Sequence, residues 1–121
     1  AEYEVFVETP MAVLQRFRMM IVEFHDLERL FDTKMLRLVS AVFAKLGRGF
    51  SIAHVHPNNC RGVVSRGGIA VPRVIEVTFV RNDRLAGIRN DRPISLPHPL
   101  DEKNCPDLGD TVMPDCWWRA G

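Results

Sequence analysis

Apolar residues recur through the first 80 positions with two different periods, and the change of period marks the elements. Leu27, Leu30, Phe31, Met35, Leu36, Val39, Val42, Phe43 and Leu46 follow one another at three- and four-residue steps. That spacing predicts a helix over Asp26 to Leu46 with one apolar face. Asp32-Thr33 is a natural break, with Asp32 as an internal cap. Gly47, just after Lys45, stands where a left-handed residue closes a helix. Thr9-Pro10 reads as the start of a shorter helix over Met11 to Phe17, with Thr9 supplying the capping oxygen.

Three segments read as strands. Arg18 to His25 is apolar at both parities, which predicts a strand covered on both faces. Phe50 to His56 puts Phe50, Ile52, His54 and His56 on one face and Ser51, Ala53 and Val55 on the other. A glycine turn at Arg66-Gly67-Gly68 leads to Val74 to Val80, rich in β-branched residues and expected to be buried. Glu2 to Val7 alternates polar and apolar and could fold back as a further strand. Five of the eight prolines (Pro93, Pro97, Pro99, Pro106 and Pro114) fall after residue 90. They predict an extended, wrapping tail. The chain therefore reads as one domain over 1–121, an α/β part at 1–80 and a tail at 81–121. Trp117-Trp118 near the end reads as cover for a core edge or as a subunit contact.

Composition narrows the function classes. The chain has 121 residues, 46% hydrophobic and 26% charged, which suits one globular domain and not a disordered segment. Its longest aliphatic run, Met19 to Val22, is too short to cross a membrane. The net charge of +1 gives no electrostatic footprint for nucleic acid. There are three cysteines, Cys60, Cys105 and Cys116. The odd number and the lack of a C-x-x-C pair argue against a disulfide framework and for a reducing, cytoplasmic setting. The chain opens on Ala1 and its first methionine is Met11, so it reads as processed or as part of something longer.

Familiar catalytic motifs are missing. Gly47-Arg48-Gly49 is only G-x-G and lies between a helix and a strand, whereas a dinucleotide fingerprint joins strand to helix. Cys60 reads as a buried or idle thiol, since a nucleophile needs a lowered pKa. The polar constellation is Glu23-x-His25 with His54-x-His56-x-Asn58-Asn59. Parallel strands bring both histidine groups to one sheet edge, where ligands of open α/β sheets bind. Three readings stand: the groups satisfy one another and nearby backbone, they hold a substrate, or they bind a metal. Glu76, in mid-strand, needs a partner such as His54 or an arginine, or an exposed face.

Taken together, several stretches resemble the FkbM-type methyltransferases, a branch of the S-adenosylmethionine-dependent Rossmann-like enzymes. They are Glu2-Tyr-Glu-Val-Phe, Met20-Ile-Val-Glu-Phe-His-Asp-Leu, Lys45-Leu46, His54-Val-His-Pro-Asn-Asn59, Pro72-Arg-Val-Ile-Glu-Val-Thr-Phe79 and a tail with Pro99-Leu-Asp. The resemblance spans about residues 1 to 108 and places the chain in the C-terminal half of that fold. The family's acidic motif and glycine-rich loop would lie upstream of Ala1, so no cofactor-binding residue carries over and no cofactor is expected in this chain. The resemblance implies a short mixed sheet in an incomplete, three-layer Rossmann-like α/β fold. In it Val74 to Val80 inserts antiparallel between Arg18 to His25 and Phe50 to His56. It implies methyl transfer only for the complete enzyme, and this chain is expected to be the substrate-side half, inactive alone. Glu23, His25, His54, His56, Asn58 and Asn59 are the substrate-edge candidates. The alternative is a small assembly protein. The unpartnered edge of the Arg18 to His25 strand invites a homodimer.

Overall fold

The computed structural model describes residues 2–88 and 95–117. Helices α1 (Glu2–Glu8) and α2 (Met11–Leu14) precede strand β1 (Met19–Phe24). A 3-10 turn over Leu27–Phe31 leads into α3 (Thr33–Leu46). Strands β2 (Phe50–Pro57), β3 (Val63–Arg66), β4 (Ile69–Pro72) and β5 (Ile75–Arg81) complete the regular elements, with 3-10 turns at Asn82–Arg84 and Asp115–Trp117.

The main sheet has the order β1-β5-β2, with β5 antiparallel to both neighbours. This is the expected strand order, and the most β-branched strand is central. Every neighbouring pair is antiparallel, so the sheet is not mixed; β1 and β2 are parallel only to each other. β3 and β4 form a separate hairpin. Its two-residue turn uses Gly67 and Gly68 at φ 55° and 78°, values that glycine adopts without strain.

One face of the sheet carries the core. Met20, Val22 and Phe24 of β1 stand beside Phe79, Val77 and Ile75 of β5, and Met35, Val39, Val42 and Leu46 of α3 cover them. The other face has no helix over it among the described residues. Met19 and Ile21 are 53% and 58% exposed there. The structure is thus two layers rather than three, and β1 is covered on one face only.

Local caps explain the element boundaries. Asp32 breaks the helical run as expected: its Oδ1 accepts from Lys34 N–H at 2.7 Å and Met35 N–H at 3.3 Å. Gly47 is right-handed at φ −63°, not left-handed, because its N–H simply continues the ladder to Phe43 O. Thr9 does not cap α2. Its Oγ1 donates back to Val5 O at 2.7 Å and its N–H to the same carbonyl, so it finishes α1. The Met11 to Phe17 helix is correspondingly short.

Glu2 to Val7 is helix, not strand. Tyr3 and Phe6 lie one turn apart and both bury against Phe24, with ring centroids 5.5 and 6.2 Å away. A seven-residue helix is marginal by itself. Lys45 of α3 secures it: Nζ donates to Phe6 O at 2.8 Å, Val7 O at 2.8 Å and Thr9 O at 2.6 Å. A cation on the last carbonyls also complements the helix dipole. We expect Lys45→Met to lower stability by about 2–3 kcal/mol and to reduce helicity, since bonds to charged groups are the stronger kind. Urea unfolding followed by circular dichroism checks this; a change below about 0.5 kcal/mol would mean that α1 holds without the lysine.

The tail runs along the β2 side of the molecule. Met113 is buried, Leu96 and Trp117 pack on the core, and Trp117 Nε1 donates to Ala70 O at 3.3 Å. Trp118 lies outside the described residues. A disulfide joins Cys60, after β2, to Cys105 in the tail, and Cys116 is free. The sequence expectation of unpaired thiols is therefore overturned. The partners are 45 residues apart and meet only through tertiary structure, which no spacing rule reveals.

Candidate functional site

A bulge decides which side chains reach the open face. The β2–β5 register shifts between Ile52 and His54, leaving Ala53 as the extra residue. Phe50 and Ile52 stand opposite Arg81 and Phe79, on the core side; after the bulge His54 and His56 stand opposite Thr78 and Glu76. The single face expected for Phe50, Ile52, His54 and His56 is thus split. The open face then has a polar row, Glu23, Glu76 and His56 across the sheet, and behind it a mixed row of Ile21, Thr78 and His54. Glu76 faces His56 rather than His54, and its exposed side chain meets the solvent requirement. Glu23 and Glu76 are direct cross-strand neighbours, an unfavourable like-charge pair unless donors approach.

Donors approach Glu23 from the end of β1 and from the turn after β2. Asn58 Nδ2 donates to Glu23 Oε1 at 3.0 Å. His25 Nε2 lies 3.4 Å from Glu23 Oε2, and its Nδ1 lies 3.5 Å from Glu2 Oε1. The backbone of His25 is held by α1: its N–H donates to Glu2 Oε1 at 2.7 Å, and Tyr3 Oη donates to its carbonyl at 2.6 Å. Burial pushes the Glu2 carboxyl up, but the His25 N–H, its own backbone N–H and the His25 ring outweigh this and hold it below its ordinary 4.5. Burial, with Glu2, Asp26, Glu28 and Glu4 nearby, drives the Tyr3 hydroxyl far upward, so it stays a donor.

The six sequence candidates therefore divide. Glu23, His25, His56 and Asn58 share the carboxyl end of β1 and β2. His54 sits one pair further back and is engaged by the tail, its Nε2 2.7 Å from Asp101 Oδ1 and its ring edge-on to His98. Asn59 is turned away and is structural. Its buried amide donates to Cys105 O at 2.9 Å, Leu108 O at 3.3 Å and Gly109 O at 3.2 Å, and its Oδ1 accepts from Cys105 N–H at 2.9 Å.

Beyond His25 the same sheet end opens into a cleft of about 440 Å³, within the usual range for ligand sites. Besides His25 it is lined by Asp26, Glu28, Cys60, Arg61, Arg73 and Val74. Sequence reasoning missed Asp26, Glu28, Arg61 and Arg73. The available signal was that each follows or precedes a strand end, where a loop charge reaches the sheet edge. Asp26 turns the chain with φ 57°, which aspartate tolerates, and lets Leu27 N–H donate to Arg73 O at 3.1 Å. Arg73 N–H in turn donates to Gly62 O at 3.1 Å, so the cleft floor is stitched by backbone. Cys60 forms part of the wall as a half-cystine and has no thiol to offer.

No group of three or more His, Cys, Asp or Glu among the described residues is placed to hold a metal ion. No described helix is long and apolar enough to cross a membrane. A second cleft of about 390 Å³ at the opposite sheet end is lined by Arg81, whose guanidinium is already engaged, donating to Asp83 at 2.6 and 3.0 Å and to Gln15 O at 2.5 Å. Family models, curated proteins and solved structures were all compared with the chain, and none matches it.

Proposed function

We propose that this chain is the substrate-side half of a methyltransferase-like fold of FkbM type, inactive without a cofactor-binding half. The observation that carries this reading is the strand order β1-β5-β2 with an antiparallel middle strand. It is the arrangement the resemblance implies for the end of the Rossmann-like sheet. The free edge of β1 is where such a sheet continues. Methyl transfer depends on positioning donor and acceptor, and the polar cleft at the carboxyl ends of β1 and β2 supplies an acceptor site.

The residues present do not fit S-adenosylmethionine. Gly47 and Gly49 close α3 rather than open a helix, and Gly47 N–H is spent on Phe43 O. Gly67 and Gly68 turn a hairpin. No step through that cofactor is assigned to this chain. Calorimetric titration of S-adenosylmethionine into the 121 residues is expected to give no saturable heat; micromolar affinity would overturn the reading.

A second reading, an assembly protein that homodimerises, is favoured by one observation. Arg81 N–H donates to Arg18 O at 2.9 Å, which fixes the phase of the β1–β5 ladder. Met20, Val22 and Phe24 bond to β5, and the N–H and C=O of Met19, Ile21 and Glu23 point outward. At His25 this edge is capped by Glu2 and Tyr3. Antiparallel pairing with a second copy, centred on Ile21, matches all the outward groups and keeps core and open faces aligned. Sedimentation at micromolar concentration separates the readings. Twice 13.8 kDa, reverting to 13.8 kDa in Ile21→Lys, supports the dimer. A 13.8 kDa species whose Met19, Ile21 and Glu23 amides exchange faster than those of Met20 and Val22 supports the half-fold.

Unpaired cysteines would suit a cytoplasmic location. The Cys60–Cys105 bridge supports an oxidising compartment instead.

A further inference from the structure

The cleft at the end of β1 carries two opposite charges that the fold leaves unused. Its formal charges balance: Asp26 and Glu28 against Arg61 and Arg73. One pair is internal, with Arg73 Nη1 donating to Glu28 Oε1 at 3.2 Å. The second Glu28 oxygen, Oε2, is buried and has no hydrogen-bond partner among the described residues. A carboxylate oxygen so placed needs a donor. Asp26 precedes the 3-10 turn without capping it through its side chain. Neither the Asp26 carboxylate nor the Arg61 guanidinium makes a hydrogen bond or ion pair with another described residue. The cleft thus presents one exposed carboxylate, Asp26, that lacks a donor and one exposed guanidinium, Arg61, that lacks an anion.

We infer that the cleft is a binding site for a small zwitterion of the amino-acid type, carrying one ammonium and one carboxylate. The carboxylate pairs with Arg61, whose planar fork suits it. The ammonium is received by the exposed Asp26 carboxylate, with the Glu28 carboxylate adding negative charge beside it. A simple anion meets two carboxylates in this cleft and a simple cation meets two guanidinium groups, whereas a zwitterion meets an opposite charge at each end. Discrimination follows because a singly charged ligand makes one charge-assisted contact instead of two and meets the like charge of the cleft uncompensated. The inference rests on the charges of the cleft and not on methyl transfer.

The test is a nuclear magnetic resonance titration at low salt without cofactor, using 6-aminohexanoate, hexanoate and hexylamine. The zwitterion is expected to bind at least tenfold more tightly than either singly charged analogue, with shifts at Arg61, Gly62, Arg73 and Asp26. Arg61→Ala is expected to reduce 6-aminohexanoate to the affinity of hexylamine. Asp26→Asn is expected to weaken the zwitterion while leaving hexanoate unchanged or tighter. Both variants should fold, since Arg61 is exposed and asparagine tolerates the φ of 57°. The inference is overturned if the zwitterion does not bind, if hexanoate or hexylamine equals it, or if both variants bind as the parent does. Because no S-adenosylmethionine is present, these outcomes leave the methyltransferase-like reading to its own test.

Discussion

Phe24→Ala is expected to cost about 3–5 kcal/mol, the range for a large aromatic removed from a core. Phe24 has no exposed surface. Its ring centroid lies 4.9 Å from that of Phe43, 5.5 Å from Tyr3 and 6.2 Å from Phe6 and Phe79. One side chain therefore joins β1 to α1, α3 and β5, and truncating it leaves a cavity that three elements would have to close together. Domains of this size hold about 5–15 kcal/mol in total, so the variant should lose a large part of its stability. Phe24→Leu keeps most of the volume and should cost markedly less. Urea midpoints of the two variants give the answer. A loss below about 1 kcal/mol for the alanine would contradict the packing described.

Removing the Cys60–Cys105 bridge should have the next largest effect. Closing a loop of 45 residues is worth about 4 kcal/mol in the chain-entropy account, taken from the unfolded state. The folded tail should stay docked after reduction, because the Asn59 amide grips three tail carbonyls and the Cys105 N–H independently of sulfur. The paired Cys60→Ser, Cys105→Ser variant, or the parent in reductant, should therefore unfold at much lower urea while keeping the Cys105 amide protected. Equal stability in both redox states would show that the bridge does not constrain the unfolded chain. Adding Asn59→Ala to the serine pair should release the tail.

The strand order and the Asp32 cap were legible because each rests on a local signal: a β-branched run wants the centre, and an aspartate oxygen wants a helix N-terminus. Glu2 to Val7 misled because Tyr3, Val5 and Val7 fit a strand while Tyr3 and Phe6 fit a helix. Only the aromatic pocket around Phe24 and the Lys45 clamp decide between them. Met19 and Ile21 looked buried by composition, yet nothing in a residue's own chemistry says whether a second layer exists to cover it. The histidine faces were misassigned through one residue: Ala53 carries no signature of a bulge, and one extra residue exchanges every face after it. The β3–β4 hairpin announced its turn at Gly67-Gly68 but not its short strands. The shared sheet end of Glu23, His25, His56 and Asn58 was legible from the parallel direction of β1 and β2. The cleft charges were not, since Arg61 and Arg73 are brought to His25 only by the turns that flank β3 and β4.

The order of strands has a consequence for how the chain comes off a ribosome. β1 and β2 are separated by β5, which is made last of the three. A nascent chain that has not yet reached Ile75 has α1, α3 and two strands, but no main sheet to join them. The β1–β5–β2 ladder cannot close before Ile75 to Arg81 has been made. Until then the apolar side chains of Met20, Val22 and Phe24 have no β5 partners. Synthesis thus passes through about 50 residues, from the end of β1 to the start of β5, with the core face of β1 lacking its sheet partner, the kind of exposed apolar surface that holding chaperones bind.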